Sequence, residues 1–164
     1  MKRATVVINP ISGAGRRAPG GAAEVALAHR VLGDAGYETS VVVTTGAGHA
    51  TDAARAAVTQ GAQLVVSWGG DGTMNEVARA LAFGSTALAL VPAGSGNGLG
   101  RDLGVPFEPA AALAVAAAGR RRRIDVGEAN GQYFFNVAGV GLDARIARAF
   151  AEDSGRRGRL RYAR

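Results

Sequence analysis

The turn after one apolar run carries the residues whose chemistry is easiest to interpret. Gly69, Gly70, Asp71, Gly72 and Thr73 stand between the apolar stretch "LVVSW" and an amphipathic stretch. Glycines in such a turn let backbone N–H groups approach a phosphate closely. A carboxylate among them would repel that phosphate unless Mg²⁺ lay between the two. The turn therefore predicts a metal-assisted phosphate site, and a turn-forming role for Asp71 is the alternative.

Three further loops of similar composition also follow apolar runs. The loops at 9–15, 44–51 and 92–102 are rich in Gly, Ser, Thr and Asn, as is the loop at 69–76. Four such loops at one edge of a sheet would surround a nucleotide with backbone N–H groups and helix amino ends. The sequence thus predicts a nucleotide site that is built by loops.

The elements that must position these loops alternate along the chain. Short apolar runs, typical of strands buried on both faces, occupy residues 4–8, 39–43, 64–68 and 88–91. Helices are predicted over residues 22–35, 50–60, 74–83 and 108–118. Glycines placed as helix C-caps follow them at Gly36, Gly61, Gly84 and Gly119. The alternation predicts an α/β fold with a parallel sheet, right-handed crossovers and a ligand site at the carboxyl ends of the strands.

The pattern changes after residue 119. Two β-type runs are joined by Asn130-Gly131, a strong hairpin signal, and only about 25 residues follow the hairpin. A lone hairpin is marginal in water and needs further strands. We therefore predict an ATP-binding α/β domain over residues 1–119 and the beginning of a truncated β-rich domain over residues 120–164.

Two better-known phosphate motifs fit less well. A P-loop requires G-x-x-x-x-G-K-[ST], and Lys2 is the only lysine. A dinucleotide fingerprint can be read loosely in Gly13, Gly15 and Ala18, but four residues separate the first strand from the first glycine. Thr73 and Glu76 have the spacing of a helix capping box, which does not explain the carboxylate between them and the strand.

Composition excludes other classes. The 164 residues contain no cysteine, which removes disulfides and thiolate metal sites, and no apolar run is long enough to span a membrane or form a signal peptide. The net charge of +6 comes almost wholly from arginine, yet no nucleic-acid-binding motif or aromatic platform accompanies it. The sequence therefore predicts a cytoplasmic protein that does not bind nucleic acid. The cluster at 120–123 is interpreted as a solvated connection, with a contact to acidic lipid head groups as the alternative.

The stretches "NPISG", "GGDGTMNEV" and "VPAGSGNGLGRDLGVP", in this order, resemble the catalytic domain of the diacylglycerol kinase and sphingosine kinase superfamily. The resemblance covers roughly residues 4–143 and extends to "RRIDVG" and "FFNVAGVGLDA". The GGDG turn alone is less specific, because NAD kinases and phosphofructokinases also have it. The resemblance implies a lipid kinase with ATP as donor, Mg²⁺ as metal and a lipid hydroxyl as acceptor.

The resemblance also implies roles for individual residues. The positions expected to line the nucleotide are Asn9, Pro10, Ser12, Gly13, Thr44, Gly69, Gly70, Asp71, Gly72, Thr73, Asn75, Glu76, Gly94, Ser95 and Asn97. Asp71 is the expected catalytic residue and, with Asp125, the expected contact to the metal and its water network. Asp143 matches an aspartate that meets the lipid head group in sphingosine kinases, although an N-cap role is the alternative.

One position departs from the pattern. Many bacterial diacylglycerol kinases have Asn-Asp where this chain has Asn97-Gly98, so a carboxylate is lost from the expected metal network. Sphingosine kinases have a small residue there, and Ser95 with Gly98 therefore favours a sphingoid or ceramide-like acceptor.

The resemblance further implies a lipid substrate at a membrane surface, with transient peripheral membrane association, and a homodimer is among the expectations. The general base of the family would lie beyond this chain, so the chain alone is expected to have little turnover. Phosphorylation of a soluble nucleotide, as in NAD kinases, and a non-catalytic ATP-binding module remain the alternatives.

Overall fold

The computed structural model describes residues 1–12, 21–141 and 144–145. Four strands are β1 (Lys2–Ile8), β2 (Tyr37–Val43), β3 (Leu64–Gly69) and β4 (Ala87–Pro92). The helices among them are α1 (Ala22–Asp34), α2 (His49–Thr59), α3 (Asp71–Leu81), α4 (Gly98–Asp102) and α5 (Pro109–Ala117). A hairpin follows, formed by β5 (Gly127–Ala129) and β6 (Gln132–Phe134).

The four strands form one parallel sheet in the order β2-β1-β3-β4, as the alternation of strands and helices predicts. From β1 the chain passes to β2 on one side of it, and then to β3 on the other side. In open α/β sheets, ligands bind at the carboxyl ends of the strands where the winding reverses in this way. This reversal lies between the ends of β1 and β3.

Alternate residues of each strand pack against helices on opposite faces of the sheet. Val6 and Val66 belong to a cluster that includes Leu32 of α1 and Leu113 of α5. Their neighbour Val7 belongs to a second cluster with Val77 of α3. Helices on both faces explain why the strands are continuous apolar runs rather than alternating ones. Trp68 is almost fully buried in the first cluster, so its role is in the core rather than in base stacking.

Most helix ends lie where the sequence places them. Gly36, Gly61 and Gly119 have φ values of +83°, +78° and +69°, the left-handed conformation of a C-cap glycine. The expectation for Gly84 is wrong, because Phe83 takes the left-handed conformation after α3, with φ of +62°.

The hairpin and the segment after it pack on the α/β unit, with one buried aromatic side chain at the centre of the contact. Asn130 and Gly131 both have positive φ, as a two-residue primed turn requires. Phe135, just after β6, is buried in a third cluster with Met74 of α3 and Leu99 of α4. This contact places the segment after β6 beside the carboxyl edge of the sheet. None of the helices in the described ranges is long and apolar enough to cross a bilayer.

Candidate nucleotide site

The loops after β1 and β3 are joined by side-chain hydrogen bonds at the point where the winding reverses. Asn9 directly follows β1, and its Nδ2 donates to Thr73 Oγ1 at 2.9 Å. Ser12 Oγ accepts from the backbone N–H of Gly70 at 3.3 Å. Asn9 also continues the sheet, because its N–H donates to Trp68 O at 2.9 Å. Asn9, Ser12, Gly70 and Thr73, all expected from the sequence at the nucleotide, therefore lie together.

The capping box expected for Thr73 and Glu76 does not form. The N-cap of α3 is Gly70, and no side chain caps the helix. Thr73 Oγ1 accepts from Asn9 instead, while Glu76 Oε2 is buried and makes no hydrogen bond to any described residue. Asn75 Oδ1 is also buried and also makes no hydrogen bond to any described residue. The first two turns of α3 thus hold two buried side-chain oxygen atoms that accept no hydrogen bond from the described residues.

The glycines of the β3 and β4 loops allow the two backbones to touch. A Cβ on Gly94 would lie 2.6 Å from Gly70 Cα, and one on Gly69 would lie 2.6 Å from Thr73 Oγ1. A Cβ on Gly96 would lie 2.6 Å from Asp71 Oδ2. Real Cβ atoms do not approach other heavy atoms so closely, so these positions require glycine in the present arrangement. The glycines serve loop-to-loop packing as well as the phosphate approach that the sequence suggests.

Asp71 is the first residue of α3, and its carboxylate binds the loop after β4. The N–H of Asn97 donates to Asp71 Oδ2 at 2.8 Å, and the N–H of Gly98 donates to Oδ1 at 2.7 Å. Each oxygen is thereby used once and keeps a further lone pair. Charge-assisted hydrogen bonds of this kind are about twice as strong as neutral ones. The carboxylate therefore fixes the β4 loop while it retains acceptor capacity for a ligand.

Asn97 closes the turn that presents those N–H groups. It adopts a left-handed conformation with φ of +54°. Its Oδ1 accepts from the N–H of Gly94 at 2.8 Å, and its Nδ2 donates to Gly94 O at 2.7 Å. Asn97 is buried, while Ser95 at the tip of the turn is exposed. The side chain of Asn97 is thus part of the loop framework, and Ser95 is the polar group of this turn that faces solvent.

The remaining expected residues are distributed as follows. Thr44 follows β2 at the same sheet edge, buried, with its N–H donating to Ile8 O at 2.8 Å. Pro10 lies in the turn after Asn9. Asp125 is exposed, two residues before β5. Gly13 and Asp143 lie outside the described residues.

Four residues near this site carry no role in the sequence-based prediction. Arg101 Nε donates to Gly96 O at 2.8 Å, and its guanidinium lies 4.7 Å from the ring centre of Phe107. Asn136 Nδ2 donates to a carboxylate oxygen of Asp102. The asparagine of "FFNVAG" is the first polar residue after the hairpin, but its partner lies 34 positions earlier in the chain.

The oxygen atoms at this edge suit a hard cation. Asp71 offers carboxylate oxygens with spare lone pairs, and Asn75 Oδ1 and Glu76 Oε2 lack partners in the described chain. Mg²⁺ binds such oxygens and completes its shell with water and substrate phosphates. Over residues 1–12, 21–141 and 144–145, no three His, Cys, Asp or Glu side chains cluster as a metal cage. The residues present therefore fit a metal held by few protein ligands, together with a nucleotide.

A parallel sheet with glycine loops and one hydrogen-bonded carboxylate at its winding reversal is the arrangement expected of an α/β phosphate-binding unit. Residues 3–129 match the family model described as "Diacylglycerol kinase catalytic domain". The chain therefore belongs to the diacylglycerol kinase catalytic domain family.

Known relatives agree with this assignment. The chain is 40% identical over 149 residues to a protein named diacylglycerol kinase from Bacillus subtilis, covering 86% of this chain and 46% of the relative. It is 41% identical over 132 residues to a Pseudomonas aeruginosa protein named "Probable lipid kinase YegS-like", covering 79% of this chain and 43% of that protein. A crystal structure of a diacylglycerol kinase from Bacillus anthracis superposes with a TM-score of 0.67 at 27% identity, covering 81% of this chain and 45% of that one. The chain thus spans about half the length of these relatives.

Proposed function

We propose that this chain is the nucleotide-binding part of an ATP-dependent lipid kinase. The enzyme would transfer the γ-phosphoryl group of ATP to a hydroxyl of diacylglycerol or of a sphingoid or ceramide-like lipid. The observation that carries the proposal is the position of Asp71, which begins α3 at the winding reversal and accepts two N–H groups from the β4 loop. Membership of the diacylglycerol kinase catalytic domain family supports the same reaction class.

The ATP phosphates would lie against the amino end of α3 and the glycine loops. The first N–H groups of a helix have no intrahelical partner and are suited to bind anions. Gly70 and Gly72 place no side chain over this end of α3, and nothing lies within 4 Å of the Cβ position of Gly72. Phosphoryl transfer depends chiefly on positioning and charge neutralisation, so backbone amides can supply much of the positive charge that a P-loop lysine supplies.

Mg²⁺ would be held by Asp71, with Asn75, Glu76 and Asp125 as further oxygen ligands, directly or through water. When bound, the metal neutralises charge on the transferred phosphoryl group and on the leaving ADP. The two N–H donors on Asp71 hold its carboxylate in one orientation, so the ligand would be in place before the nucleotide arrives.

The acceptor would reach the nucleotide from a membrane surface. Diacylglycerol is the acceptor named in the relatives, and Ser95 with Gly98 favours a sphingoid or ceramide-like lipid by resemblance. We further propose that the protein is cytoplasmic with transient peripheral membrane association, that Asp143 meets the lipid head group, and that residues 120–164 begin a second domain. Because the relatives are about twice as long, we expect the 164-residue chain alone to bind Mg-ATP but to turn over little or no lipid.

The test is a labelling assay on the full-length protein. It is incubated with γ-labelled ATP, Mg²⁺, mixed diacylglycerol and sphingoid lipids, and NAD, and the label is partitioned between organic solvent and water. We expect label in the organic phase, and chromatography of that band identifies the acceptor. Label found only in water, as a phosphorylated dinucleotide or as free phosphate, would contradict the lipid kinase assignment.

A further inference from the structure

The helix α4 is too short to be stable without contacts from elsewhere in the chain. It has five residues, whereas isolated helices shorter than about 12 residues are marginal in water. Its first residue, Gly98, supplies one of the two N–H groups that bind Asp71. Whatever holds α4 therefore also holds the carboxylate on which the proposed nucleotide site depends.

One side chain from outside the α/β unit contacts both ends of α4. Asn136 lies just after β6, next to the buried Phe135. Its Nδ2 donates to Asp102, the last residue of α4. Its Oδ1 lies 2.6 Å from the position that a Cβ on Gly98, the first residue, would occupy. The amide of Asn136 thus lies beside both the first residue of α4 and the side chain of its last residue.

We propose that Asn136 is a positioning residue that holds α4 and, through the N–H group of Gly98, orients Asp71. The proposal also explains the glycine at position 98. A Cβ at position 98 would lie 2.6 Å from Asn136 Oδ1, closer than real Cβ atoms approach, so a side chain there would displace the Asn136 amide from its present position. The inference rests on the proposed function for its catalytic consequence, but the contact itself can be tested without nucleotide.

The contact is tested by exchanging donor and acceptor. Asn136→Asp keeps the size of the side chain but sets a second carboxylate against Asp102. The double variant Asn136→Asp with Asp102→Asn restores a donor and an acceptor in the reverse order. Amide hydrogen exchange at Asn97 and Gly98 reports directly on their bonds to Asp71. We expect exchange at both amides to accelerate in the single variant, by about fivefold for a partly solvated contact, and to return close to the parent rate in the double variant.

A second pair of variants tests the packing of Asn136 on Gly98. Gly98→Ala places a methyl group 2.6 Å from Asn136 Oδ1, and we expect it to accelerate exchange at Asn97. Adding Asn136→Ala should relieve part of this effect, so the two changes combine non-additively. Gly33→Ala in α1 is the matched control, since no atom lies within 4 Å of that Cβ position, and it should leave the exchange rates unchanged.

The outcomes separate this inference from the proposed function. Unchanged exchange in Asn136→Asp, or a double variant no better than the single one, would overturn the positioning role. In the full-length enzyme we expect Asn136→Asp to lower kcat about fivefold with little change in the lipid KM, and the double variant to recover it. Restored exchange in a protein that binds no Mg-ATP would uphold the contact and refute the nucleotide site instead.

Discussion

Replacing Asp71 by asparagine tests how the carboxylate works, because the change keeps the size of the side chain and alters only its hydrogen-bonding atoms. The carboxylate accepts from two backbone N–H groups, at 2.8 and 2.7 Å. A carboxamide offers one acceptor oxygen and turns an NH₂ donor toward the second N–H group. One of the two bonds is therefore lost, whichever way the amide is oriented.

The size of the effect follows from the bond that is lost. A hydrogen bond to a charged group contributes about 1.5–3 kcal/mol, and each 1.4 kcal/mol is a factor of ten. Loss of the bond should thus lower the equilibrium constant for ordering the β4 loop by about one to two orders of magnitude. Loss of the negative charge also weakens the proposed Mg²⁺ contact. We expect Asp71→Asn to lower the phosphoryl-transfer rate of the full-length enzyme by at least about 10²-fold.

Three quantities are measured on each variant. They are the phosphoryl-transfer rate, the Mg-ATP affinity by calorimetry, and the secondary structure by circular dichroism. Asp52→Asn is the matched control, because it removes the same charge from the first turn of α2, where its carboxylate accepts no hydrogen bond from the described residues. We expect that variant to stay within about twofold of the parent. A rate for Asp71→Asn within tenfold of the parent would remove Asp71 from the mechanism, and an unfolded variant would show that its role is in the fold.

Three further predictions concern stability, each read as urea or thermal unfolding of the 164-residue chain. Gly94→Ala should destabilise the chain by about 1–3 kcal/mol, because its Cβ would meet the backbone of Gly70. Gly72→Ala, the control, should stabilise it by about 0.5 kcal/mol. Stability changes of the same sign in the two variants would contradict the loop packing. Glu108 caps α5, and the N–H groups of Ala110 and Ala111 lower its pKa below the ordinary 4.5. The contribution of Glu108 to stability is therefore present above about pH 4.5 and is lost as pH falls through the lowered folded-state pKa. Glu108→Gln should thus lower Tm at pH 7 but much less at pH 2.5. An equal loss of Tm at both pH values would refute the capping role. Phe135→Ala should cost about 3 kcal/mol if the segment after β6 packs as described, and a loss below about 1 kcal/mol would argue against that packing.

The sheet and most helices follow from the sequence because their signals are local. The run predicted at 64–68 becomes β3 at Leu64–Gly69, and the helix predicted at 50–60 becomes α2 at His49–Thr59. Strands covered by helices on both faces must be apolar throughout, so their ends are marked where polar and glycine residues begin. The hairpin is equally local, since Asn130-Gly131 specifies its turn.

The start of α3 is less predictable, because tertiary contacts override local propensity there. Glycine is among the poorest helix formers, so the residues before position 74 resemble a turn. In the structure the helix begins at Asp71, and the Thr73 hydroxyl accepts a hydrogen bond from Asn9, which follows β1. Spacing alone suggested a capping box, but the threonine hydroxyl has a partner 64 positions away in sequence.

The helix α4 could not be predicted for the same reason. It lies within a glycine-rich loop, and side-chain hydrogen bonds reach it from Asp71, 27 positions before Gly98, and from Asn136, 34 positions after Asp102. Such long-range pairs leave no periodic signal in the sequence. The candidate site residues could be named from their motifs, whereas the hydrogen bonds that organise them required the fold.

These contacts explain why the turn carries a carboxylate and no lysine. The amino end of α3 and the N–H groups of Asn97 and Gly98 all present partial positive charge at one place. A lysine at position 71 would offer no acceptor to these donors and would repel them, so the β4 loop would separate from α3. An aspartate satisfies both N–H groups and keeps further lone pairs. In the nucleotide site that we propose, positive charge for the phosphates would come from backbone amides and from the metal, and the Gly-rich loops would let the amides approach.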